Sequence, residues 1–280
     1  MTEFNFLKAH GLGNDFVIFF EQQRIIISDD LIKSISNRKT GIGCDLVAFV
    51  NQSKNNYSDL TAKFLNKDGS EEEICGNALR CIGKHYFQEK KKNNVTIETM
   101  SGLIYIEDFS KDSVIVDLGK PNLEWDKIPI KFQSDTKNLG INLNYLKDGF
   151  ALNVGNPHVI FFVKDINEKH LESDSKELLS SGLFPQGANI SIVEIVSQNQ
   201  IKTLTFERGV GITQACGSGA GASVFASNKM NCCNSKVKVI MNGGKLDVEI
   251  TKDDHILTIG DAKQVFEGKI ELKDESRING

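Results

Sequence analysis

The strongest constraint on the fold is that the chain repeats itself at half its length. Gly13-Asn14-Asp15-Phe16-Val17-Ile18-Phe19-Phe20 resembles Gly155-Asn156-Pro157-His158-Val159-Ile160-Phe161-Phe162 at an offset of 142. Phe64, before Asn66, and Phe206, before Arg208, keep the same offset; Cys75-Gly76 and Cys216-Gly217 follow at 141, as do Gly102 with Gly243 and Gly119 with Gly260. Each match alone is weak among frequent Gly and Phe residues. Five in order at nearly constant spacing argue for two copies of one unit. The expected halves are residues 1–118 plus 264–280, and residues 119–263. Copies related by a pseudo-two-fold can set Cys75 and Cys216 facing each other across the domain interface, a common place for a small-molecule site.

Along the chain, Phe4 to Phe20 reads as strand, turn, strand, and Asp30 to Asn37 as a helix capped by Ser28 or Asp29. Strands are expected at Leu46–Val50 and Leu60–Leu65, with a strong turn at Asn66-Lys-Asp-Gly-Ser70. Leu79, Ile82, Tyr86 and Phe87 fit one face of a helix that follows Cys75. Val95 to Glu107 and Ser113 to Leu118 alternate as strands, and residues 120–150 form a loosely patterned crossover. The second copy repeats the plan, with an extra helix expected at Asp174–Ser181, and the tail Val265–Leu272 is expected to return as a strand to the first half. Many short strands with one helix per unit predict an α/β fold of α+β character: two pseudo-symmetric halves, each a curled mixed or antiparallel sheet around a central helix. The second central helix, rich in Gly219, Ala220, Gly221, Ala222 and Ser223, suits close approach of backbone on nearly every side.

Composition mainly excludes. A net charge of −4 gives no general reason to expect nucleic acid or membrane binding. Residues 1–10 carry no apolar signal core, and no apolar run approaches membrane-spanning length, so a cytoplasmic protein is expected. The six cysteines form no CxxC pair and no zinc-ribbon spacing, so no metal site is expected and the thiols are expected reduced.

Cys75 and Cys216 stand apart because each precedes a glycine at a helix start, at matched places in the repeat. A thiol there faces unpaired backbone N–H groups and the positive end of the helix, which favours thiolate. Two such thiols on one pocket could work as base and acid, one taking a proton from a carbon and the other returning one to the opposite face, with inversion of a stereocentre. The other reading of either cysteine is a small buried apolar residue. Nearby polar groups suit a zwitterion: Arg208 for a carboxylate, Glu207 for an ammonium or for orienting an acid–base group, and Asn14, Asn66, Asn77, Asn156 and Asn189 in turns or at strand ends. Each asparagine could equally be an ordinary turn residue. His158 could tune a thiol or be a satisfied structural histidine.

These residues, with His10-Gly11-Leu12-Gly13-Asn14-Asp15-Phe16, Asn66-Lys67-Asp68-Gly69-Ser70, Cys75-Gly76-Asn77, Arg80-Cys81, Gly155-Asn156-Pro157-His158 and Glu207-Arg208-Gly209 through Ala215-Cys216-Gly217-Ser218-Gly219, resemble the diaminopimelate epimerase family over nearly the whole chain. The resemblance implies a cofactor-independent two-base epimerase that interconverts LL- and meso-2,6-diaminopimelate in lysine and cell-wall precursor synthesis, often as a homodimer. It implies that Cys75 handles the LL-substrate proton and Cys216 the meso-substrate proton. It places Asn14, Asn66, Asn156, Asn189, Glu207 and Arg208 at substrate, Gly76-Asn77 and Gly217-Ser218 at carboxylate-binding helix starts, and His158 and Glu207 in support of the acid–base pair.

The chain departs from that pattern at Ala78, where a glycine is usual, at Leu46, where Gly or Gln is common, and at Gly187, where Arg is frequent. Two other functions stay open from sequence: a related two-thiol racemase of another amino acid, and a non-catalytic amino-acid-binding protein of the same fold.

Overall fold

Residues 2–20 and 25–272 are described by the structure, a computed structural model of the chain. Met1 and residues 273–280, assigned from sequence to the N-terminal half, lie outside the described residues. The chain divides into two compact units, Met1–Val116 with Asp261–Gly280, and Asp117–Gly260.

The first unit opens with the hairpin β1 (Thr2–Gly11) and β2 (Asn14–Phe20). Helix α1 (Asp29–Ser36) follows, its N-terminus capped by Ser28, whose side chain accepts from the Leu31 amide. β3 (Leu46–Gln52) runs parallel to β2, and β4 (Leu60–Asn66) returns antiparallel to β3. After the short β5 (Glu71–Glu72) comes the central helix α2 (Gly76–Lys90), packed on β1, β2, β6 (Asn94–Thr99) and β7 (Gly102–Ser110). β8 (Ser113–Asp117) completes this run. Phe16, Val17, Ile18 and Phe19 of β2 are all buried, as expected for a strand covered on both faces. β6 alternates buried and open positions, as a strand covered on one face does.

The second unit begins with an irregular segment carrying the two-residue strands β9 (Ile141–Asn142) and β10 (Lys147–Asp148). It then repeats the plan: β11 (Phe150–Asn153) antiparallel to β12 (Pro157–Phe162), helix α3 (Glu168–Ser180), β13 (Asn189–Ser197) parallel to β12, and β14 (Gln200–Glu207) antiparallel to β13. The short β15 (Gly211–Ile212) leads to the central helix α4 (Gly217–Lys229), then β16 (Lys236–Met241), β17 (Gly244–Ile250) and β18 (Ile256–Asp261). Every residue of α4 from Gly217 to Ser227 is buried. Small side chains at most of these positions, Val224 and Phe225 apart, suit a helix enclosed over that length. The last strand, β19 (Lys263–Leu272), pairs antiparallel with β1, Thr2 opposite Leu272.

Each unit has its own apolar core. Phe4, Phe19, Ile32, Ile35, Val47 and Phe49 join β1, β2, β3 and α1 in the first. Phe161, Leu171, Leu178, Phe184, Ile190 and Ile192 join β12, β13 and α3 in the second, with Trp125 packed against them. Full burial of such a side chain contributes about 1.5–3 kcal/mol.

Three expectations need correction. Among the described residues each unit has two helices, so α3 is no extra element: it stands between two parallel strands as α1 does between β2 and β3. It also begins at Glu168, where the Asn167 side chain accepts from the His170 amide, and not at Asp174, which is buried in mid-helix and binds the loop amides of Tyr145 and Leu146. Gly102 opens its hairpin opposite Thr99 as Gly244 does opposite Met241, so its counterpart is Gly244 and not Gly243. Gly119 lies outside any strand whereas Gly260 lies inside β18, so these two are not equivalent.

Candidate active-site residues

Cys75 and Cys216 are the N-caps of α2 and α4, both extended, with φ/ψ of −133°/97° and −118°/111°. Each thiol therefore sits at the first turn of a helix that is buried at its N-terminal end. Gly76-Asn77 and Gly217-Ser218 form those first turns. Cysteines elsewhere are built differently: burial pushes Cys81 up to about 12 and Cys233 up to about 11, and it also raises Cys44. These are inert thiols.

In the first unit a chain of side chains runs past Cys75. Asp45, just before β3, accepts from Asn14 Nδ2 at 3.3 Å. Asn14 Oδ1 accepts from Asn77 Nδ2 at 3.3 Å and lies 3.9 Å from the Cys75 sulfur. Asn77 Oδ1 in turn accepts from the guanidinium of Arg80, which is fully buried. Behind Asn14, Asp15 bonds to Arg38 and Lys8; burial alone would raise its pKa, but these two cations hold the carboxyl well below the usual carboxylate range. Asn66 stands apart from this chain, donating to Ser70 Oγ at 3.2 Å in the turn after β4.

In the second unit the Cys216 sulfur accepts from the Gly219 amide at 3.3 Å and lies 3.5 Å from Ser218 Oγ. Ser218 Oγ is 3.1 Å from His158 Nε2, which also meets Asn156 Oδ1 at 2.9 Å. An amide oxygen only accepts, so this short contact favours a proton on Nε2 over the longer 3.5 Å contact from Asn189 Nδ2, which would need Nε2 as acceptor. Burial, aided by the charge of Arg208, lowers the His158 pKa to about 3, so the ring is neutral at physiological pH. It acts as a hydrogen-bond donor and not as a proton reservoir. Asn189 Oδ1 accepts from the Arg208 amide at 2.9 Å, and the Arg208 guanidinium donates to the Gln186 carbonyl at 3.1 Å. Glu207 accepts from the Thr213 hydroxyl.

The two copies share a backbone plan but not a chemistry. His158 registers with Asn189 across β12 and β13; the corresponding pair across β2 and β3 is Phe16 with Leu46, both buried. This accounts for Leu46, an apolar packing residue here. Gly187 has φ +73°, and a Cβ there would stand 2.8 Å from Arg208 Cδ, so the glycine makes room for the Arg208 side chain. The other side chains of these networks, among them Arg80, Asp45, Asp15, Lys8, Arg38 and Thr213, have no role in the sequence reading. A signal for Arg80 was present: a cation three residues after Asn77 lies on the same helix face.

Among the described residues, no group of three His, Cys, Asp or Glu side chains is placed to hold a metal ion. No described helix is long and apolar enough to cross a membrane.

The sequence model described as "Diaminopimelate epimerase" matches residues 6–124 and 150–265, leaving out the irregular segment around β9 and β10. The chain is 36% identical over 267 residues to a diaminopimelate epimerase of Zymomonas mobilis, covering 95% of this chain and 97% of that protein. It is 40% identical over 251 residues to that of a Wolbachia sp. of Drosophila simulans, covering 88% and 92%. In structure it is similar to a hydroxyproline epimerase from Agrobacterium vitis, with a TM-score of 0.73 at 11% identity over 96% of this chain and 92% of that one, a likeness of fold. The chain belongs to the diaminopimelate epimerase family.

Proposed function

We propose that this isomerase interconverts LL- and meso-2,6-diaminopimelate, on the path to lysine and cell-wall precursors, with Cys75 and Cys216 as its two acid–base groups. The observation that carries this reading is that the two thiols occupy the same N-cap position of two equivalent buried helices. One thiolate removes the α-proton, and the other thiol protonates the opposite face of the carbanion.

Magnitudes decide what must help. A helix end contributes about 0.3–1 kcal/mol, up to ~2 when partly buried. An aimed oxyanion donor contributes roughly 2.7–4 kcal/mol, and enzymes as a class supply about 8–23 kcal/mol. Several donors are therefore required. The amides after Cys75 and Cys216 are assigned to the substrate carboxylate and its enolate charge. Asn14, Asn66, Asn156, Asn189, Glu207 and Arg208 are assigned to the zwitterionic groups, with His158 and Glu207 in support of the thiols. Both proton transfers are thiol chemistry and ask for no cofactor.

We further propose a cytoplasmic homodimer. Val265 and Phe266 on β19 are about half exposed, at 55% and 46%, as apolar residues at a subunit contact would be in a single copy. The test of function is solvent-deuterium incorporation at the α-carbon, with proline, hydroxyproline and glutamate as competitors of diaminopimelate. Cys75→Ala and Cys216→Ala should each abolish epimerisation; near-normal turnover by either sinks the two-thiol mechanism. Light scattering of the native chain and of Phe266→Glu tests the dimer, which a monomeric native chain would exclude.

A further inference from the structure

Arg80 is a cation enclosed in the first unit, with no ion pair among the described residues. It is fully buried, its Nε donates to the Asp261 carbonyl at 3.4 Å, one terminal nitrogen donates to Asn77 Oδ1, and Nη1 has no hydrogen-bond partner. Packing alone does not account for such a group, because an apolar side chain of similar volume avoids the cost of desolvating a charge.

We propose that Arg80 is a positioning residue for Cys75: through Asn77 it fixes the Asn14 side chain with its carbonyl oxygen turned to the Cys75 sulfur. The inference rests on the two-thiol reading above. The amide orientations follow from the charges at the two ends of the chain. Asp45 can only accept when ionised, so Asn14 must offer it the NH2 group, as observed at 3.3 Å. Arg80 can only donate, so Asn77 must offer it the oxygen. The NH2 of Asn77 then meets the oxygen of Asn14 at 3.3 Å, and that oxygen lies 3.9 Å from the Cys75 sulfur. Flipping either amide would set donor against donor or oxygen against carboxylate.

An acceptor facing a sulfur favours the S–H form, whereas the Gly219 amide donating to the Cys216 sulfur favours the thiolate. These contacts bias Cys75 towards the thiol and Cys216 towards the thiolate. Other charges act on Cys75 too. Arg80 on α2 favours its thiolate directly; Asp261 opposite Arg80, and Asp45 and Asp15 beyond Asn14 with their partners Arg38 and Lys8, offset part of that field. Positioning and charge therefore act on Cys75 with opposite signs, and two substitutions separate them.

The experiment is the pH dependence of initial solvent-deuterium incorporation, measured separately from LL- and meso-diaminopimelate with the full chain. The acid limb of the LL reaction reports Cys75 as base, and that of the meso reaction reports Cys216. Arg80→Lys keeps the charge and loses the fork, so the LL limb should move down by about half a pH unit or more. Arg80→Met also removes the charge, so its LL limb should lie above that of Arg80→Lys. Asp45→Asn, at a partly exposed site, frees the other end of the chain and should lower the LL limb even if the Arg80 variants fail to fold. The meso limb should stay in all three. Limbs that move together, or an LL limb that stays in Arg80→Lys and Asp45→Asn, overturn the positioning role. A native chain that incorporates no deuterium from either isomer overturns the two-thiol reading, and this inference with it.

Discussion

The Gly219 amide donates to the Cys216 sulfur across 3.3 Å, and Gly219 has no room for a side chain. A Cβ there would stand 3.1 Å from that sulfur and 2.9 Å from Thr205 Oγ1, which is itself bonded to Ser191. Alanine is favoured over glycine inside a helix by about 1 kcal/mol. Gly219→Ala should therefore leave the thermal midpoint nearly unchanged while displacing the sulfur. Deuterium incorporation should fall at least ~10-fold, the effect of about 1.4 kcal/mol on the barrier. An unchanged rate would show that the contact is incidental.

His158 gives a pH dependence with a definite sign. Its folded pKa, about 3, lies below the ordinary 6.5, first because of burial and second because of Arg208. Below pH 6.5 the unfolded chain takes up a proton that the folded chain refuses, so this group's contribution is whole above 6.5 and is lost as the pH falls towards 3. The slope is at most about 1.4 kcal/mol per pH unit. His158→Gln keeps a donor near Nε2 but does not titrate. Its urea midpoint should fall less steeply than the native one between pH 6.5 and pH 5. Parallel slopes would refute the neutral buried ring.

Gly187 couples to Arg208 by exclusion. Gly187→Ala costs roughly 1–2 kcal/mol for the left-handed backbone and pushes Arg208 away from the Gln186 carbonyl. Steady-state kinetics should show KM rising more than kcat falls. A fall in kcat alone would place Arg208 in the transition state only.

Asp174 is a stability residue without a part in the chemistry. It is 2% exposed and accepts from the Tyr145 and Leu146 amides at 2.7 and 3.0 Å. Asp174→Ala strands both donors and should cost about 3 kcal/mol in chemical denaturation. Turnover of the protein that remains folded at low temperature should be unchanged; lost turnover with an unshifted midpoint would reverse that assignment.

The repeat was legible because its marks are backbone-critical residues: the turn before Phe16 and His158, and the thiols at two helix starts. The start of α3 was not, because Asp174 resembles a cap in sequence and only the fold shows it turned inward to a loop 28 and 29 residues away. Arg80 was visible as a residue but not as a role. Its meaning depends on Asp45, which reaches Asn14 from the loop just before β3, and no spacing along the chain encodes that meeting. Leu46 and Phe16 show the same limit: the repeat predicts the position of a pair, but Phe16 with Leu46 is apolar and His158 with Asn189 is polar, although all four are buried.

β19 gives the first unit its closing edge, pairing Leu272 with Thr2. The consequence is temporal. On the ribosome the second unit, ending at Gly260, is complete before the strand that closes the first has been made. Until then β1 waits with one bare edge, and the Cys75 helix rests on an unfinished sheet. The order of completion is thus the reverse of chain order for the two units: the half that begins first is finished last.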